Sequence, residues 1–167
     1  MTVELFLFRH AGAEARTAEL PDENRALTER GRERFVSCVD ALERLEIDFD
    51  RIYHGPWLRA IQSAELLVPL LEGETVVTPL LAGPPTRELI DLLEGERIAL
   101  LCHEPWATDL LSWLVFGESS FETGGRRDFL DFDKGAVAWL SGQRVEPGSM
   151  SLKAFLTPKT LRRLART

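Results

Sequence analysis

The sequence predicts an α/β three-layer sandwich: a mainly parallel central sheet with helices on both faces. Three observations lead there. The runs Val3–Phe8 (VELFLF) and Ile98–Cys102 (IALLC) are short and continuously apolar, as strands buried on both sides are. Segments with helical spacing of apolar residues alternate with such runs, which implies parallel strands joined by crossover helices. The length of 167 residues suits a single domain, at about 100–200 residues per domain. Hydrophobic residues make up 44% and charged residues 28%, a globular composition rather than a disordered one.

The elements follow in order. Val3–Phe8 opens the chain as a strand and ends at Arg9-His10. A polar loop with Pro21 and Asp22 comes next. Thr28 caps a helix running to about Leu45, with Phe35, Val39 and Leu42 on one face and Gly31 as a weak point. Ile52-Tyr53 reads as a short strand. Gly55-Pro56 then starts a helix, with Pro at its first position and Leu58, Ile61 and Leu67 on its apolar face. Thr75–Thr78 is a further strand. Pro84-Pro85-Thr86 opens a helix carrying Leu89, Ile90 and Leu93, stopped by Gly95. Ile98–Cys102 ends at His103, and Pro105 opens a helix that runs to Gly117. Ser119–Arg127 reads as a loop, Ala136–Leu140 and Leu152–Leu156 as the last strands, and Pro158–Ala165 as a terminal helix.

Charge narrows the partners. The net charge is −7, and Pro158–Thr167 holds four basic residues with no acid, so the body is more acidic still. A field of that sign opposes nucleic acid and anionic lipid. No run of about 18 apolar residues is present to span a membrane. The amino-terminal stretch lacks the basic and apolar regions of a signal peptide, so a cytoplasmic location is expected. Cys38 and Cys102 lie in apolar surroundings and read as buried free thiols.

In doubly wound sheets, ligands bind beyond the carboxyl ends of the strands. Arg9-His10 and His103 fall there, and Arg59 lies in the first turn of the helix after Ile52-Tyr53. Gathering two arginines at one sheet edge is costly without an anion, because their charges repel and lose hydration. Phosphate resolves the conflict: guanidinium forks bind its oxygens, and a helix N-terminus adds N–H donors. Zinc on His10, His54 and His103 would be repelled by the same arginines, and His103-Glu104 lacks the second histidine of a zincin motif.

Three motifs carry a resemblance. FLFRHAGAE resembles the Arg-His-Gly opening of the histidine phosphatase superfamily. HGPWLRAIQSAELL resembles its second motif, and LCHEPWATDLLSWL its Gly-His-x-Pro motif. Asp22, Arg25 and LTERG match the loop-to-helix stretch between them. FDKGAVAWL and LKAFLTPKTLRRL resemble the short SixA-like branch, the phosphohistidine phosphatases. The likeness runs along nearly the whole chain, residues 1–167, as one histidine phosphatase domain. It implies that His10 is the nucleophile and that Arg9, Arg59 and His103 hold the phosphoryl group. An imidazole nitrogen can attack phosphorus if the other ring nitrogen donates to a fixed acceptor. The arginines supply the positive charge, so no metal or other cofactor is expected.

The chain departs from the family pattern at four places. Ala11 and Cys102 replace the usual glycines. His54 stands where the family has Ser, either lining the pocket or capping the following helix region. The stretch TPLLAGPPT lacks the carboxylate that many members use to protonate an alkoxide leaving group. Expelled imidazole needs less help, so the absence favours a phosphohistidine substrate. The intervals of 48 residues between His10 and Arg59, and 43 between Arg59 and His103, leave no insertion for a lid. An open pocket suits a phosphohistidine standing on a protein surface.

The expected function is therefore a metal-independent phosphatase acting on phosphohistidine in a signalling or phosphotransfer protein, such as a histidine phosphotransfer domain. One alternative is a small-molecule phosphomonoesterase, with Glu14 or Glu104 as the acid. The other is a phosphate or phosphoprotein-binding module without turnover. Trp57 and Trp106 each follow a site motif, and Trp57 is a candidate rim residue. Asp22 and Arg25 read as a structural pair fixing the loop, and Lys134-Gly135 as strand entry.

Overall fold

A computed structural model describes residues 1–119 and 129–167. The expected loop Ser119–Arg127 lies, apart from Ser119, outside the described residues. Six strands form one sheet: β1 (Val3–Arg9), β2 (Phe49–His54), β3 (Leu71–Val77), β4 (Arg97–Cys102), β5 (Val137–Gly142) and β6 (Ser151–Leu156). Their spatial order is β3-β2-β4-β1-β5-β6. β1, β2, β3 and β4 pair in parallel, whereas β5 runs antiparallel to both β1 and β6. The helices are α1 (Glu29–Arg44), α2 (Leu58–Leu67), α3 (Arg87–Leu92), α4 (Trp106–Phe116) and α5 (Pro158–Leu164).

Strand period 2 divides the core. Phe6 and Phe8 of β1 point to one face, where they pack with Phe35 and Leu42 of α1, Leu67 of α2 and Leu161 of α5. Leu5 and Leu7 point to the other, against Leu89 of α3 and Leu110, Leu111 and Leu114 of α4. Each β1 side chain is at most 2% exposed from Leu5 to Phe8, which explains why that stretch reads as unbroken apolar sequence. The three layers are those expected.

Several boundaries differ from expectation. α2 begins at Leu58 rather than at Gly55-Pro56, because Trp57 is still extended (φ −73°, ψ 139°) and forms the N-cap. Its inward face is Ala60, Ala64 and Leu67, while Leu58 and Ile61 are only half-buried. Arg59 and Ser63 share that inward face, so the site and not an apolar stripe sets the helix's rotation. β3 starts four residues earlier than Thr75; its Leu71–Thr75 end is largely exposed at the sheet margin, where polar residues cost little. α3 stops at Leu92, with Leu93 extended.

The α1 start is tied to the end of β1. Thr28 caps the helix by accepting from Gly31 N–H at 2.9 Å, and Thr28 N–H donates to Gly12 O at 3.0 Å. A Cβ on Gly31 would meet Gly12 O at 2.0 Å. Gly31 is therefore required by close approach, although glycine weakens a helix. In Gly31→Ala the gain in helix propensity is under about 1 kcal/mol, whereas overpacking typically costs about 1–3 kcal/mol. The variant is expected to unfold at lower urea concentration than the parent; a higher midpoint would contradict this packing account.

Candidate active site

The register brings distant residues together. Arg9 of β1 lies opposite Cys102 of β4, so His10 and His103 are the next residues past two paired strand ends. Their ring centroids are 5.1 Å apart. Trp57 packs on the other histidine, with 4.7 Å between its ring centroid and that of His103. The Arg59 guanidinium carbon sits 4.5 Å over the Trp57 ring, a cation–π arrangement. His10, Arg59 and His103 are buried, at 5%, 2% and 4% exposure. His10, Arg59 and His103 thus converge with Trp57, and the Arg9 charge acts on both histidines.

His10, Arg9 and Arg59 are held by the backbone or by a carboxylate. His10 Nδ1–H donates to Ala11 O at 2.7 Å. The acceptor is a carbonyl, so the proton is on Nδ1 and Nε2 keeps its lone pair. Arg9 Nη1 donates to Phe132 O at 2.9 Å. Arg59 donates from Nη1 to Asp22 O at 2.7 Å and from Nη2 to Asp22 Oδ2 at 3.2 Å. Arg25 Nε donates to Asp22 Oδ1 at 2.7 Å, and Arg16 adds an ion pair at 3.3 Å. Asp22 is thus the shared acceptor for three arginines. Burial works to raise its carboxyl, but Arg59 and Arg25 outweigh burial and hold it below its ordinary value.

Ser63 joins the two halves of the site. Its hydroxyl accepts Ala11 N–H at 2.9 Å and donates to Arg59 O at 2.7 Å. Gln62 Oε1 accepts Leu27 N–H at 2.8 Å. Both residues were visible in the sequence within RAIQSAELL; a polar Ser one turn after Arg59 on an inward helix face was the available signal.

Four buried polar atoms of the cluster have no hydrogen-bond partner among the described residues: Arg9 Nε, Arg59 Nε and both ring nitrogens of His103. A buried donor left unpaired costs about 1–3 kcal/mol. An oxyanion is the chemical group that satisfies several such donors at once and offsets two guanidinium charges.

The remaining candidates separate. His54 is buried at the end of β2, and its Nδ1–H donates to Gly55 O at 2.7 Å, the same local arrangement as in His10. Glu104 is half-buried beside His103 and accepts from Thr108 Oγ1 at 2.6 Å; burial raises its carboxyl above the ordinary value. Glu14 is exposed, and what it gives the site is its carbonyl, which accepts from Arg25 Nη1 at 2.7 Å. Cys38 and Cys102 are buried free thiols, and burial pushes Cys102 up to about 12, so it stays neutral next to His103. No described helix is long and apolar enough to cross a membrane.

Electrostatics decides the protonation of the two histidines. Burial, with smaller effects from His103, Arg59 and Arg9, lowers His10 to about 3 despite the hydrogen bond to Ala11. Burial and Arg59 lower His103 to about 4. Both are neutral near pH 7. In an NMR titration of the free protein, neither ring is expected to protonate between pH 8 and pH 5. Because both folded values lie below the ordinary 6.5, their contribution to stability is present above pH 6.5. It is lost as pH falls through that value towards the folded ones. A midpoint near 6.5 for His10 would contradict the burial described.

Comparison with known proteins adds context. Residues 5–82 match the model of the histidine phosphatase superfamily (branch 1). An uncharacterized protein of Picosynechococcus sp. (strain ATCC 27264 / PCC 7002 / PR-6) is 38% identical over 65 residues, a match spanning 39% of each chain. The chain thus matches about two fifths of that curated relative's length. The structure of the protein histidine phosphatase SixA complexed with tungstate superposes with a TM-score of 0.74 at 22% identity, covering 95% of this chain and 99% of that one. The mycobacterial glucosyl-3-phosphoglycerate phosphatase gives a TM-score of 0.68 at 13% identity, covering 94% of this chain and 100% of the other. At those identities the two structural likenesses are ones of fold.

Proposed function

We propose that the chain, whose residues 5–82 match the histidine phosphatase superfamily model, is a phosphatase of that superfamily working through a phosphohistidine on His10, with phosphohistidine in a signalling or phosphotransfer protein as substrate. The observation that carries the reading is the pairing of a neutral imidazole, proton fixed on Nδ1, with buried, unpartnered guanidinium and imidazole nitrogens around it. A metal-independent mechanism suits this residue set, since the arginines supply the charge.

The reaction has two displacements. The His10 Nε2 lone pair attacks phosphorus as the P–N bond to the substrate imidazole breaks. That imidazole leaves neutral when its other nitrogen already carries a proton. Arg9, Arg59 and the one N–H of neutral His103 stabilise charge on the equatorial oxygens. Water then attacks phosphorus, the P–N bond to His10 breaks, and the proton from water leaves with inorganic phosphate. Phosphorylated His10 keeps its Nδ1 proton on Ala11 O, so it too departs as a neutral imidazole.

The leaving-group argument supports a P–N substrate. The segment from Pro79 to Ala82 is a short 3-10 turn with no carboxylate. Glu104 favours the second reading, a small-molecule phosphomonoesterase, because burial raises its carboxyl and keeps more of it protonated. SixA and the mycobacterial enzyme share the fold, so the fold alone does not choose between protein and small-molecule substrates.

Side-by-side hydrolysis of a phosphoramidate and p-nitrophenyl phosphate separates these. The expected result is faster turnover of the P–N substrate, with His10→Ala at background on both. Arg59→Ala is expected to lower kcat by about 10²–10³-fold, the usual effect of removing one transition-state donor. Equal rates for His10→Ala and the parent would remove catalysis and leave a binding module. Faster ester turnover, lost in Glu104→Gln, would establish the second reading instead.

A further inference from the structure

A cleft of about 800 Å³ lies next to the site, between the start of α1, the start of α5 and residues 131–135. Arg9 lines it and is also part of the phosphate cluster. Its other basic residues are Arg30 and Arg34 of α1, Lys134, and Lys159 and Arg162 of α5. Arg30, Arg34, Lys134 and Lys159 are exposed, and Arg162 is half-buried. Among the described residues, none of these five makes an ion pair. Two acids, Asp131 and Asp133, share the walls, so six cations face two anions.

That balance opposes the molecule as a whole, whose net charge is −7. Basic residues of a single solvated face are usually interspersed with acids; here they are repeated at helical spacing on two walls. Arg30 and Arg34 are one turn apart on α1, as are Lys159 and Arg162 on α5. The cleft also shares a field with the phosphate cluster. Burial lowers Lys134, and the charges of Arg9, Arg25 and Arg59 lower it further. An anion in the cleft relieves that repulsion.

We propose that this cleft docks an acidic face of the phosphoprotein substrate, placing its phosphohistidine over His10. The inference rests on the functional reading above and adds the recognition surface. A protein face fits better than a nucleic acid. The acid excess of the surrounding body repels a long polyanion, while a local acidic patch meets only the cleft. Rim charges of this kind act on encounter rate and specificity more than on chemistry.

The test uses the full chain and a double charge reversal, Arg34→Glu with Lys159→Glu, at two exposed positions outside the phosphate cluster. The probes are three peptides of equal length, with glutamate, serine or lysine flanks, each made with a stable phosphohistidine analogue and again without it. Fluorescence anisotropy at low salt is expected to rank glutamate above serine above lysine on the parent, by about tenfold per step, with or without the analogue. The double variant is expected to lose that ranking while hydrolysing a small phosphoramidate within about twofold of the parent rate. Equal binding of the three peptides by the parent overturns the proposal. So does a ranking that survives in the variant, or tighter binding of a single-stranded RNA than of the glutamate peptide. If the parent fails to hydrolyse the phosphoramidate, the functional reading fails, and the ranking of the unphosphorylated peptides still decides the cleft.

Discussion

The hydrogen bond from His10 Nδ1 to the carbonyl of Ala11 is the constraint around which the site is organised. An imidazole placed among guanidinium groups has two possible fates. In water it would titrate near pH 6.5. Buried there, it is neutral, because the lost hydration of the charged ring, with smaller repulsion from His103, Arg59 and Arg9, costs more than the hydrogen bond to Ala11 returns. Neutrality alone leaves the tautomer open. The Ala11 carbonyl closes that choice, since it can only accept. The lone pair is then confined to Nε2, the nitrogen away from the backbone. Charge, burial and tautomer together leave an unprotonated lone pair on Nε2 at neutral pH, which is what the proposed attack on phosphorus requires.

The scaffold keeps that arrangement by linking elements remote in sequence. β1 and β4 end side by side in register, which sets the spacing of His10 and His103. Ser63 connects the backbone after His10 to the carbonyl of Arg59. Asp22 holds Arg59 from the far side while accepting from Arg25. Its carboxylate also screens some of the positive charge, raising His103 against the effect of the arginines. Two guanidinium groups are thereby brought to one sheet edge without a wholly uncompensated field.

Much of this was legible in the sequence, and the reasons are local. Val3–Phe8 and Ile98–Cys102 are buried on both faces, so their apolar runs are unbroken. Thr28 announces α1 through a cap whose partner is three residues away. Arg9, His10, Arg59 and His103 were identifiable because strand ends and a helix start mark where they stand. What escaped was long-range. The Asp22–Arg59 pair spans 37 residues, and no local pattern reports it; Asp22 showed only its neighbour Arg25. The close approach of Gly31 to Gly12 turned an apparent helix weakness into a packing requirement. The antiparallel direction of β5 depends on a connection that periodicity does not encode. Glu14, promising by position, is exposed because the chain turns its side chain outward after Ala13.

The central claim concerns a single nitrogen atom. Phosphorus–nitrogen correlation NMR on ¹⁵N-histidine-labelled protein, mixed with a phosphoramidate and quenched in base, identifies the phosphorylated position. The account predicts phosphoryl bonded to Nε2 of His10. Phosphoryl on Nδ1 of that ring, on His54 or His103, or no phosphorylated histidine at all while substrate is consumed, would contradict it.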